Sequence, residues 1–150
     1  MSSVSSVVKK MLSMKTNEVL ENIKARRSVR AYTSQQVSEE DLLAILEAAT
    51  YAPSGMHLET WHFTAIQNAD KLTELNERIK GAFAKSDDSR LQERGHSKTY
   101  CCYYHAPTLV IVSNEPTQWW AGMDCAWAIE NMFLAAHSLG IGSCWINQLG

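Results

Sequence analysis

A layered domain of α-helices and β-strands is what this sequence predicts, and three observations predict it. Residues 119–139, WWAGMDCAWAIENMFLAAHSL, carry apolar side chains in nearly every helical direction, so the helix they form is expected to be buried. Apolar runs at residues 61–66, 108–112 and 143–146 have the length and flanks of short strands. Between these runs lie amphipathic segments with marked helix starts.

Size and charge narrow the class. With 150 residues and 45% hydrophobic content, the chain has enough apolar mass for one core. A formal net charge of -2 excludes a general nucleic-acid binder. Asp124 and Glu130 sit inside the long apolar segment, which makes a membrane span expensive. A monomer of this size seldom surrounds a helix completely, so a second copy of the chain is expected to cover part of it. Four cysteines without a CxxC pair or a secretory signal point to a reduced, cytoplasmic compartment. No metal site is expected from Cys101, Cys102 and His105, because adjacent cysteines do not readily face one ion.

In chain order, residues 1–16 are serine-rich, carry Lys9, Lys10 and Lys15 and contain no acid; they read as a flexible arm before a domain over 17–150. Val19, Leu20 and Ile23 at helical spacing then lead into Arg26-Arg27-Ser28-Val29-Arg30. Three guanidiniums and a hydroxyl in five residues are either a solvated basic helix end or a phosphate clamp, since guanidinium forks bind phosphate oxygens in pairs. Ser38 caps the next helix, whose first turn holds Glu39, Glu40 and Asp41 and whose apolar face runs from Leu42 to Ala49. Pro53 ends that helix, and Pro53-Ser54-Gly55 forms a turn before the strand at 61–66. A helix over about 71–80 follows, with Leu72, Leu75 and Ile79 on one face. Residues 81–98 are polar and lack a period, so they read as a lid. Ala106-Pro107 precedes the strand at 108–112, and Gly140 and Gly142 stop the long helix before the buried strand at 143–146.

Four pieces in this order, Arg26-Arg27-Ser28-Val29-Arg30, Ala52-Pro53-Ser54-Gly55 with Trp61-His62-Phe63, Ala106-Pro107, and Leu139-Gly140-Ile141-Gly142-Ser143-Cys144-Trp145-Ile146, resemble the FMN-dependent nitroreductase family. The resemblance implies an α+β, three-layer α/β/α fold with a central, mostly antiparallel sheet. It also implies a homodimer with the apolar helix at its core and two FMN sites between the subunits. By position, Arg26, Arg27, Ser28 and Arg30 would hold the phosphate, ribityl chain and pyrimidine edge. Pro53, Ser54, Gly55 and His57 would reach the flavin of the other subunit, and Trp145, Ile146 and Asn147 would line the ring through their backbone. The activity implied is hydride transfer from NADH or NADPH through FMN to a nitroaromatic, quinone or similar small acceptor, with no catalytic acid or nucleophile from the protein. Many relatives have asparagine at His57 and glutamine-proline at Glu59-Thr60; histidine and glutamate there are closer to the halotyrosine deiodinase branch, a reductive dehalogenase. Relatives also continue past Gly150 with a strand, a basic residue and a tail, so the C-terminal part of the domain is expected to be missing. A non-catalytic flavin-binding remnant is the corresponding alternative.

Overall fold

A computed structural model describes residues 15–116 and 119–146; most of the expected N-terminal arm, residues 1–14, and the proposed ring-lining residue Asn147 lie outside the described residues. Five α-helices and two strands are described: α1 (Glu18–Ala25), α2 (Glu39–Thr50), β1 (Trp61–Ile66), α3 (Ala69–Phe83), α4 (Ser89–His96), β2 (Leu109–Asn114) and α5 (Ala121–Ser138), with a short 3-10 turn over Gly55–His57. Four helices start on side-chain caps: Asn17, Ser38, Asn68 and Asp88 each accept from a backbone N–H two or three residues on.

β1 and β2 pair antiparallel, with Phe63 opposite Val112 and Ile66 opposite Leu109. Alternation then separates two faces. Trp61, Phe63, Val110 and Val112 pack on α2 and α5 through Ile45, Ala49, Ala128, Met132 and Ala136. Ile66 and Leu109 pack on the other side against Leu72, Ile79 and Phe83 of α3 and against Cys101, Cys102 and Tyr103. Helices thus cover both faces of the sheet, as the three-layer reading requires, and the sheet has two strands among the described residues.

α5 is buried by its own chain on one side. Ala121, Asp124, Ala128, Met132 and Ala136 are buried at spacings of three and four, whereas Met123 and Trp127 on the opposite side are 39% and 43% exposed. Trp119, one turn before Met123, is 82% exposed. One chain covers one side of this helix. α1 lies beside it, tied by Asn22 Nδ2 donating to the Leu134 carbonyl at 2.9 Å, and leaves Val19, Leu20 and Ile23 exposed as well. The helix ends as its glycine requires: Gly140 adopts φ +75°, Gly140 N–H donates to His137 O and Ile141 N–H to Ala136 O.

Three further boundaries move. Residues 143–146 form no strand; they contribute a single parallel bridge, Ser143 with Ser28. The second strand spans Leu109–Asn114 rather than 108–112. The expected lid is largely helical, because α3 runs on to Phe83 and α4 follows, capped by Asp88. Gly95 lets α4 sit on α3: a Cβ there would lie 2.3 Å from the Ala84 nitrogen.

Ala49 and Ala128 are both fully buried (0% exposed) in the cluster between α2 and α5. Enlarging Ala128 to leucine is expected to destabilise the fold by about 1–3 kcal/mol through overpacking; an unchanged urea midpoint would show slack at this crossing. A second prediction concerns alkali. Burial first, and the neighbouring Cys101 second, push the Cys102 thiol from 9.0 up to about 11. The folded state therefore holds this proton more tightly than the unfolded chain. Stability is level below about pH 9 and falls as pH rises towards about 11, by at most about 3 kcal/mol from this group. Cys102→Ala is expected to flatten that alkaline loss in urea melts at about pH 8 and about pH 11, and equal losses in both proteins would contradict it.

Candidate functional site

The residues singled out in the sequence fall into two groups along α5. The first gathers the arginine cluster and the segment after α5. Val29 N–H donates to the Ser143 carbonyl at 2.9 Å, and Ser28 and Ser143 form the parallel bridge. Gly142 permits this approach, since a Cβ there would lie 3.0 Å from the Val29 side chain. Tyr32 buttresses the junction: its hydroxyl donates to the Val29 carbonyl at 2.6 Å and lies 3.3 Å from Cys144 Sγ. Burial, and then the bond to Cys144, raise the Tyr32 phenol above its ordinary value, so it stays a neutral donor. Trp145 and Ile146 follow this junction by two and three residues; Trp145 is 47% exposed, and Ile146, half-buried, packs on the cluster that holds Leu72, Ile79 and Cys102.

The guanidiniums do not behave alike. Arg26 is half-buried, with its Cζ 5.8 Å from the centre of the Phe133 ring. Arg27 turns back on α1 and donates to the carbonyls of Lys24 and Arg26 at 2.7 and 2.8 Å, satisfying the helix end. Arg30 is exposed. Among the described residues, no carboxylate lies within ion-pair distance of any of the three. Clustered cations without an internal anion suit an external one, and phosphate matches the guanidinium fork.

The second group is the turn after α2. Pro53 is exposed, Ser54 and Gly55 are half-buried, and His57 is exposed with its ring 3.4 Å from the Glu59 carboxylate. Met56, His57 and Glu59 have φ of 56°, 58° and 50°, the left-handed region that non-glycine residues seldom adopt. Ser54 Oγ donates to Asp124 Oδ2 at 3.2 Å and accepts from Glu59 N–H at 2.9 Å, and Gly55 N–H donates to both Asp124 oxygens at 3.1 and 3.2 Å. Asp124 and Phe133, which mark the two groups, are separated by about 14 Å along α5 at the usual rise per residue, and point to opposite sides of the helix. Neither Asp124 nor Tyr32 was singled out in the sequence; an acid interrupting an apolar helix was the available signal for Asp124.

A cavity of about 510 Å³ opens against β2 and the 141–146 segment, and Tyr32, Phe133, Trp145 and Ile146 of the first group are among the residues that line it. No arginine or lysine lines it, so it supplies no cation for a phosphate. Cys101 and Cys102 are buried free thiols, and no metal-binding cluster occurs among the described residues. Nor is any described helix long and apolar enough to cross a membrane.

Comparison with known proteins gives a consistent assignment. Residues 23–150 match the model of a family described as the Nitroreductase family. A protein of Archaeoglobus fulgidus, named provisionally as an NADH dehydrogenase/NAD(P)H nitroreductase, is 36% identical over 129 residues, 86% of this chain and 67% of its own. A crystal structure of a nitroreductase with bound FMN from Bacteroides fragilis NCTC 9343 is 81% identical, with a TM-score of 0.89, covering 90% of this chain and 72% of that one. An iodotyrosine deiodinase of Thermotoga neapolitana is more distant, at 27% identity over 127 residues, 80% of this chain and 68% of its own. The chain spans between 55% and 67% of the length of three curated relatives it matches.

Proposed function

The chain belongs to the nitroreductase family, and on that premise we propose that it is an FMN-dependent oxidoreductase working as a homodimer. The observation that carries the reading is the arginine group: cations with no carboxylate partner among the described residues, joined through Val29 and Ser143 to the segment that would line the ring. That donor set fits the flavin phosphate. Arg26 and Arg30 would hold it as charge-assisted donors, and the exposed Ser28 hydroxyl would add a further bond. Arg27 contributes mainly by closing the end of α1.

Bound FMN supplies two-electron redox chemistry between NADH or NADPH and a small acceptor of the nitroaromatic or quinone class. Binding and orientation are the chain's own part. In this reading the backbone of Trp145 and Ile146 would line the ring, and Pro53, Ser54, Gly55 and His57 would reach it from the partner subunit. The separation of the two groups along α5 supports a site shared between copies, and the exposed side chains of Trp119, Met123, Trp127 and α1 give the copies a surface to share. The dehalogenase alternative draws on His57 and Glu59, both exposed with the ring 3.4 Å from the carboxylate, and its relative is the more distant one at 27% identity.

Purified protein tests this directly. A yellow protein whose flavin absorbance NADH or NADPH bleaches without air is the expected result. A colourless protein that takes up no FMN would contradict it.

A further inference from the structure

Asp124 is 1% exposed and, among the described residues, has no lysine, arginine or histidine within ion-pair distance. A buried carboxylate without a cation is costly. Its bonds run to one place. Ser54 Oγ and Gly55 N–H donate to it, and Ser54 Oγ passes the connection on by accepting from Glu59 N–H. Between those anchors lie the left-handed residues Met56 and His57, with Glu59 left-handed as well. Backbone in that region persists only where its surroundings hold it. Trp120, one turn before Asp124, closes the other side: a Cβ on Gly55 would lie 2.2 Å from the indole Nε1, so only glycine fits beneath the ring. One turn of α5 therefore grips the loop twice, by hydrogen bonds and by contact.

We propose that Asp124 is a positioning residue for flavin binding, holding the Ser54–Glu59 loop in the strained shape that meets the cofactor of the partner subunit. The inference rests on the FMN reading and goes beyond it. A carboxylate suits the task because it only accepts, and the loop offers it a hydroxyl and an N–H together. Asparagine could still accept from Gly55 N–H but would turn an amide donor towards Ser54.

Two readouts test this, with Asp124→Ala, Asp124→Asn and Ser54→Ala as variants. In flavin-free protein, amide exchange at Gly55 and Glu59 is followed by NMR; in parallel, FMN is titrated by quenching of its fluorescence. Asp124→Ala is expected to speed exchange at both amides and raise the Kd for FMN by about tenfold or more, the scale of one or two lost bonds to a charged group. Ser54→Ala is expected to speed exchange at Glu59 alone. Asp124→Asn is expected to recover protection at Gly55 and bind FMN with intermediate affinity, a rescue that loss of packing would not produce. If Asp124→Ala does not fold, the other two variants decide. Wild-type uptake of FMN with unchanged Kd and unchanged exchange in Asp124→Asn and Ser54→Ala overturns the proposal alone. No uptake by the wild type overturns the FMN reading and the proposal with it.

Discussion

Alanine at both Arg26 and Arg30 is expected to raise the Kd for FMN by about 100-fold or more while flavin-free protein melts close to the wild type. Each charge-assisted bond to phosphate is worth about 1.5–3 kcal/mol, and each 1.4 kcal/mol is about tenfold in affinity. Neither side chain has a carboxylate partner among the described residues, so removing them breaks no internal ion pair. Arg26 loses only its place over Phe133. Arg27→Ala separates clamp from helix end: it is expected to shift FMN affinity less and the melting temperature more, because this guanidinium bonds the last carbonyls of α1. Equal FMN affinity in the wild type and the double variant, measured by flavin fluorescence quenching, would remove phosphate binding from these residues.

The second large effect concerns assembly. Trp127→Glu is expected to convert a dimer into a folded monomer in sedimentation at micromolar concentration. Trp127 is 43% exposed in one chain and lies opposite the buried stripe of Ala128 and Met132. A carboxylate there leaves the chain's own core intact but would be stranded in an apolar interface. Large aromatic anchors at interface centres carry about 2 kcal/mol or more each. A wild type that is already monomeric, or a Trp127→Glu variant that remains dimeric, would contradict the proposed interface.

Much of this fold was legible because local chemistry decided it. Ser38 caps where its side chain can accept from the first turn, Pro53 follows the end of α2, and Gly140 takes the left-handed turn that ends α5. What failed depended on partners. Residues 143–146 have the composition of a strand, yet pairing is not a local property, and only Ser143 finds a bridge. α4 escaped notice because none of its residues is buried, and it is held by the Asp88 cap and the close approach of Gly95 to Ala84. The apolar circumference of α5 correctly signalled burial on one side, while its other side stays exposed on one chain. Within the candidate site, the arginine cluster was visible as a run of like charges. The seat of the Ser54 loop was not, since Asp124 meets it only by folding across a long stretch of chain.

A mixed dimer tests the shared site most directly. One variant would carry Arg26→Ala and Arg30→Ala, and the other Gly55→Ala, which the Trp120 indole leaves no room for. Neither variant alone is expected to retain FMN. Co-expressed and purified as a mixed pair through two different tags, they should regain one FMN per dimer, because one of the two sites then receives intact arginines from one subunit and an intact loop from the other. Mixed dimers that stay colourless, while wild-type dimers prepared in the same way bind FMN, would contradict a site built from both subunits.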